Sequence, residues 1–416
     1  MKIHLSLVLL RSVSYVLLRS VSYMLLASLL LATAALAQPT APLSGTVIDA
    51  RTQLPVPFAT LAVPGRPGGT VSNIEGSFRL ELPAGTDSVR VQALGYAPLT
   101  LAARALPMPL ILRLQPQSYT LQEVVVTALK PDALLRQAVR NTTARLASPL
   151  GLQAYYREFT NYNGQVAKFA DALVDYYIEG NPRRPRSPQV QARVQQSRAG
   201  QLALSKQDAA AAIPNPVSVD KIGAFYDPLY HNPFLDSTKF KLYTYVLLET
   251  PAGAAEAPYY EVRCTPATHE QDHLRQAIVR IDRRTLTIQH IESEVPKNLQ
   301  QYLFGLSLFG TKAQLTQYRQ RTDYREHNGR LYPSFVRFEY FMDVTKDGVL
   351  TRYAFTSDML VRSLLNNPAP IPRKEQYDGT LYQRGTSYQR PYWNEGNVVA
   401  ATAAEEAAIK ALETGK

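Results

Sequence analysis

From Leu43 to Thr127 the chain alternates apolar and polar residues in short runs broken by Gly and Pro, the pattern of an all-β sandwich. The runs SGTVID, FATLAV, GSFRLEL, DSVRVQAL and LILRL each set apolar side chains at every second position, so each predicts a half-buried strand. Pro64-Gly65, Gly68-Gly69, Glu75-Gly76 and Pro83-Ala84-Gly85 supply the turns. The period then changes. LKPDALLRQAVRNTTARLAS puts Pro131 at a helix start and Leu134, Leu135, Ala138, Val139 and Leu146 on one face, predicting a short amphipathic linker helix within 129–149. From 150 to 365 the period of two returns. QAYYREFTNY and QVAKFADALVDYY flank Asn163-Gly164, a two-residue hairpin signal, and later runs pair across Asn328-Gly329 and Asp347-Gly348. These segments predict one large antiparallel meander.

Two stretches depart from the pattern. Residues 181–219 are Pro-rich and basic (Arg183, Arg184, Arg186, Arg193, Arg198), which predicts a loop or an insertion over the sheet. Residues 366–416 are a polar tail ending in the Ala-rich VAATAAEEAAIKALETGK, a frayed helix or an unstructured end. The expected fold class is mainly β: an Ig/transthyretin-like β-sandwich, then a larger antiparallel sheet domain, with a short connecting helix.

Residues 1–37 form an apolar block whose only charges are Lys2, Arg11 and Arg19, and it closes on Ala35-Leu36-Ala37. This predicts a cleavable signal peptide that leaves Gln38 at the mature N-terminus. Tandem copies of an octapeptide, RSVSYVLL and RSVSYMLL, lengthen its front. The apolar core from Met24 to Leu36 is shorter than the ~20 residues a spanning helix needs. No Cys stands at the end of the leader, where a lipoprotein would carry its acylated cysteine, and Cys264 is the single thiol, so stability must come from apolar burial rather than from an internal disulfide. Loss of the three leader cations takes the net charge from +11 to +8. An exported chain with that excess suits anionic lipid headgroups, lipopolysaccharide or acidic glycans, or is only made soluble by it; nucleic acid is not an expected partner.

Within the sandwich the residues carry a resemblance. Gly45-x-Val47-x-Asp49, Thr52-x-x-Pro55-x-Pro57-x-Ala59, Gly69-Thr70-x-Ser72-Asn73-x-x-Gly76-x-Phe78, Leu94-Gly95-Tyr96 and Leu121-x-Glu123-Val124-Val125-Val126-Thr127-Ala128 resemble the carboxypeptidase-regulatory-like domain, over residues 38–128. The family is common in exported proteins of Bacteroidetes-type bacteria. It resembles a non-catalytic appendage of carboxypeptidases, so the resemblance implies no peptidase activity. The module often precedes the plug and barrel of TonB-dependent receptors, which do not follow here. Glu123 to Ala128 resembles the segment near the energy-coupling box of such receptors; its three valines predict a strand paired within this chain, with addition to a partner's sheet edge as the alternative. Beyond it, YYREF and the strand from Ile278 to Asp282 resemble uncharacterised Bacteroidetes proteins with the same module in front. The strand order resembles the curved open sheet of periplasmic lipoprotein carriers.

Candidate chemistry is sparse. His269-Glu270-Gln271-Asp272-His273 matches H-E-x-x-H, in which two histidines hold zinc and the glutamate polarises water, with Glu292 or Glu294 as a distal carboxylate. The mechanism needs a helix, whereas Pro266 and the strand runs YYEVRC and AIVRID flank the pattern. Cys264 reads as a small core residue, and His231, His290 and His327 are scattered. The 25 tyrosines suit half-buried strands; a sugar-stacking stripe or the girdle of a small outer-membrane barrel is the alternative. The run Tyr302-Leu303-Phe304-Gly305-Leu306-Ser307-Leu308-Phe309 is expected to be core, or, if exposed, to line a lipid or acyl cavity or a membrane contact. The expected function is a non-catalytic, exported binding or assembly module of the periplasm or outer membrane, without a cofactor. Its partner would be an envelope protein, a lipid or a glycan, with peripheral membrane association. A zinc hydrolase and a barrel or receptor-associated protein are the alternatives.

Overall fold

The computed structural model describes residues 42–103, 109–117, 130–180, 187–201, 215–248, 258–267, 274–308, 310–387 and 398–414. The leader, the Glu123–Ala128 stretch and the H-E-x-x-H pattern lie outside the described residues. The chain divides into residues 1–42 with 82–84 and residues 43–81 with 85–416, and the strands and helices of the described residues lie in the second. No helix among the described residues is long and apolar enough to cross a membrane.

Two small sheets open the second unit. β1 (Leu43–Asp49), β4 (Ser77–Leu80) and β7 (Leu110–Leu114) pair in the order β4-β1-β7, and β2 (Thr60–Ala62), β3 (Thr70–Val71), β5 (Ser88–Gln92) and β6 (Leu99–Ala102) in the order β3-β2-β5-β6. The alternate residues Val47, Phe78, Leu80, Val89, Val91, Leu112 and Leu114 are all buried, as the period of two requires. β3 and β6 were not legible as separate strands. The FATLAV run is shorter than its pattern because Phe58 takes a left-handed φ of 54°, which ends the extended backbone before Ala59.

Helix α1 (Pro131–Arg145) starts with Pro131 in its first turn and buries Leu134, Leu135, Ala138 and Thr142. Eleven strands then build one sheet. They are β8 (Leu150–Tyr162), β9 (Gln165–Glu179), β10 (Gln189–Gln201), β11 (Tyr243–Leu248), β12 (Tyr259–Pro266), β13 (Gln276–Asp282), β14 (Ile288–Glu294), β15 (Gly305–Leu308), β16 (Thr311–His327), β17 (Arg330–Lys346) and β18 (Val349–Leu364). Their order is β10-β9-β8-β18-β17-β16-β14-β13-β12-β11, with β15 on β16. All pairs are antiparallel. Each two-residue turn has both residues at positive φ: Asn163 and Gly164 at 48° and 85°, Asn328 and Gly329 at 50° and 76°, Asp347 and Gly348 at 50° and 79°. That geometry follows the strand twist, and Asn-Gly and Asp-Gly favour it.

The sheet is not a single meander. β18 returns beside β8, and β10 and β11 occupy opposite edges, so the chain between them crosses the sheet. Residues 189–201, assigned from sequence to the basic insertion 181–219, are strand β10, and Arg193 and Arg198 pair with Asp175 and Asp171 of β9. The crossing segment carries helix α2 (Val219–Gly223) and buries Val217, Val219, Ile222, Phe225 and Phe234 in the same core as α1. Tyrosines pin it: Tyr176 of β9 donates to the Val219 carbonyl at 2.9 Å, Tyr324 of β16 to Phe225 at 3.0 Å, and Tyr226 to Ala147 at 2.6 Å. Irregular backbone over a core needs such partners, and a tyrosine supplies ring and donor together. Much of the chain's tyrosine content is thus spent on core packing and on these anchors.

On the opposite face, Tyr155, Leu173, Phe335 and Leu360 pack with Val71 of β3 and with Val399. Part of the tail joins this face: after helix α3 (Leu381–Arg384), residues 398–402 lie between the small sheets and the large one, and helix α4 (Ala403–Thr414) follows. Thr70 donates to the Val398 carbonyl at 3.0 Å, Asn73 to Ala401 at 2.9 Å, and Arg157 to Val399 at 3.3 Å. Gly68 also abuts the large sheet, where any Cβ would meet the Arg362 carbonyl oxygen at 2.2 Å, and Arg325 donates to its carbonyl.

Candidate functional site

The two faces of the large sheet differ in what they could bind. On the face under the small sheets, one transverse row runs Arg263, Ile278, Glu292, Arg321, Arg337, Asp358, Arg157, Asp171, Arg198 through the cross-strand register. Its buried cations are compensated. Arg157 and Arg337 both bond Asp358, at 2.8 and 2.9 Å, and Arg198 bonds Asp171 at 2.6 Å. Arg321 bonds Asp323 at 3.0 Å. Asp323 also meets His290 Nδ1 at 2.5 Å; burial alone would raise its carboxyl, but Arg321 and His290 outweigh it and hold it near 2. Phe58 reaches from the small sheets to stack on Phe335 and to receive the Arg337 guanidinium at 4.6 Å from its ring centroid. Cavities of about 680 and 800 Å³ remain on this side, edged by charged residues of both signs.

The other face holds a cavity of a different kind. The crossing segment and strands β16 and β17 border an open cavity of about 780 Å³, lined by Phe225, Leu229, Tyr230, Leu303, Phe304, Leu315, Tyr318 and Tyr340, with Arg275, Lys221, Lys239, His231 and Asp236 among them. That volume lies within the range of small-molecule sites. The aromatic wall is continuous: Phe225 and Phe338 have centroids 4.1 Å apart, Tyr318 and Tyr340 4.8 Å, and Tyr230 and Phe225 4.9 Å. His231 turns the chain at φ 54°, which sets Asn232 inward, where its side chain donates to the Pro228 carbonyl at 2.9 Å.

Arg275 sits at this wall, 5% exposed, over the Tyr318 ring at 5.0 Å. Nη1 donates to Gln320 Oε1 at 2.8 Å and Nη2 to Asn232 Oδ1 at 3.4 Å. Burial pushes the Tyr318 hydroxyl up to about 12, with Arg275 opposing the rise. Burial, and after it the charge of Arg275, holds His231 below its ordinary value, so its ring is neutral at pH 7.

The apolar run at 302–309 corrects its expectation of core. Leu303 is buried, but Tyr302, Phe304 and Leu306 are 37%, 62% and 51% exposed. The reason is topological: among the described residues β15 pairs with β16 alone, and Phe309 lies outside them. Hydropathy cannot register that. Leu303 and Phe304 thereby join an exposed apolar strand to the cavity wall.

His269, Glu270 and His273 fall between β12 and β13, outside the described residues, and Glu292 and Glu294 lie on β14. Among the described residues no group of three or more His, Cys, Asp or Glu could hold a metal ion. Cys264 is fully buried in β12, and burial pushes its thiol well up. We expect no reaction of the native protein with a maleimide over hours and one equivalent after unfolding, read by mass spectrometry; rapid native labelling would place Cys264 at a surface. Sequence reasoning singled out His231 and the 302–309 run but not Arg275, Tyr318 or Tyr340. A lone arginine between strand runs carries no signal until the crossing segment covers it.

Residues 43–126 match the model of the CarboxypepD_reg-like domain. No curated protein matches the chain. Among solved structures the chain is similar to a DUF1329 family protein from Desulfovibrio piger, at 9% identity and a TM-score of 0.28, over 58% of this chain and 96% of that one. It is also similar to a LolA superfamily protein from Nitrosomonas europaea, at 12% identity and a TM-score of 0.24, over 58% and 96%. A third similarity is to lipovitellin, at 9% identity and a TM-score of 0.24, over 62% of this chain and 29% of that one.

Proposed function

We propose that the protein is a non-enzymatic binding module of the bacterial cell envelope, exported by the leader 1–37 to the periplasm or outer surface, and that it holds a chain-like apolar ligand. In this reading the CarboxypepD_reg-like module at 38–128 and the tail brace one face of the sheet in 150–365, while the other face carries the ligand. No catalytic residue, metal or cofactor is assigned. The observation that carries the reading is the aromatic cavity between the crossing segment and β16–β17, which an exposed apolar strand adjoins at Phe304. The opposite face supports the contrast, because its buried cations meet carboxylates within the fold.

The test uses the polarity-sensitive dye N-phenyl-1-naphthylamine and the full chain without its leader. Saturable fluorescence enhancement is expected, weakened about tenfold or more by Leu315→Trp, which fills the cavity from its wall, with the thermal midpoint nearly unchanged. Equal affinity in the two proteins would remove the cavity as the site.

A further inference from the structure

Among the described residues five arginines are buried, Arg157, Arg275, Arg280, Arg321 and Arg337. Four of them pair with carboxylates: Arg157 and Arg337 with Asp358, Arg280 with Glu261, and Arg321 with Asp323. Arg275 alone among the described ones has no carboxylate partner and is held by two side-chain amide oxygens and the Tyr318 and Phe234 rings. A buried cation without a counter-charge is costly unless a compensating anion arrives. Resting on the cavity reading above, we infer that the ligand is an amphipathic anion whose carboxylate or phosphate head is received by Arg275.

Three observations converge on that chemistry. Arg275 is among the residues that line the cavity, and its guanidinium lies over the ring of Tyr318, which lines it too. Its amide contacts use two of the five N–H groups and fix the plane of the fork, leaving donors for a two-pronged oxyanion. The other charged lining residues are Lys221, Lys239 and Asp236, so three cations face one carboxylate, and His231 is neutral. The cavity therefore presents positive charge to its contents, with aromatic walls for a chain. A carboxylate and a phosphate monoester satisfy the fork alike, so the head group's source is left to the measurement.

The experiment titrates decanoate, decyl phosphate and decanol, below their micellar concentrations, against the bound dye in the wild-type protein, Arg275→Gln and Arg275→Lys. The wild type is expected to prefer at least one anion over decanol by about tenfold or more, and the tighter anion identifies the head group. Arg275→Gln should lose that preference while keeping its decanol affinity, and Arg275→Lys should fall between. The ligand-free thermal midpoint of Arg275→Gln should be equal to or above that of the wild type, because an uncompensated charge has been removed. If no probe displaces the dye, the cavity reading itself fails. If decanol competes as well as the anions and Arg275→Gln leaves the order unchanged, the cavity stands and the head-group assignment falls. A sharp drop in midpoint or loss of fold in Arg275→Gln would make Arg275 a structural cation and also overturn the assignment.

Discussion

Asp358→Ala is expected to cost about 3–5 kcal/mol of folding stability, measured by urea unfolding at pH 7, because it strands two buried guanidiniums at once. Asp358 is 0% exposed and accepts from Arg157 Nε at 2.8 Å and from Arg337 Nη1 at 2.9 and 3.0 Å. The two arginines are themselves 3% and 8% exposed, so neither can turn to water. Each keeps a second carboxylate, Arg157 at 3.6 Å from Glu405 and Arg337 at 3.1 Å from Glu339, which favours the lower half of that range. Replacing all three with apolar residues, Arg157→Met, Arg337→Met and Asp358→Leu, should recover part of the loss, since desolvation of the charges disappears with them. A single-variant loss below about 1 kcal/mol would mean that water or a rearranged carboxylate reaches the arginines and that the row contributes little.

That row also explains where sequence reading stopped. The hairpins were legible because Asn163-Gly164, Asn328-Gly329 and Asp347-Gly348 specify their turns locally, and α1 was legible from Pro131 and one apolar stripe. Strand β10 was not, because QVQARVQQSRAGQ sets Arg193 and Arg198 where an ordinary half-buried strand would meet water. Both faces of this sheet are covered in part, and one cover packs on charged as well as apolar side chains. A polar strand therefore reads as an insertion. The 302–309 run erred the other way: its hydropathy is that of core, but burial depends on which strands lie beside β15, and that is a property of topology. Arg275 depends on still longer range. Its partners Asn232 and Gln320 lie 43 and 45 residues away on either side, brought together by a crossing segment with no pattern of its own.

The second large effect should appear as a pH dependence at Glu158, whose side chain is 4% exposed on β8. Its oxygens accept from the Tyr382 N–H at 2.6 Å, the Tyr156 hydroxyl at 3.1 Å and Asn215 Nδ2 at 3.4 Å, and no cation pairs with it among the described residues. Those bonds favour the carboxylate, but burial outweighs them and raises the carboxyl from 4.5 to about 7. Below pH 4.5 the folded and unfolded chains both hold the proton, and the full contribution of the neutral acid is present. Between 4.5 and about 7 the unfolded chain releases its proton while the fold retains it, so stability falls as pH rises. Above about 7 the fold ionises too, the slope ends, and about 3 kcal/mol has been lost. Glu158→Gln keeps an acceptor for the Tyr382 N–H but has no proton to lose. Its stability relative to the wild type should thus rise by about 3 kcal/mol between pH 4.5 and 8, read from urea midpoints across that range. Asp171, which burial also raises, titrates in both proteins and cancels from the difference. Parallel curves would show that Glu158 ionises in the fold as readily as in the unfolded chain, with water or a cation reaching it beside Tyr156.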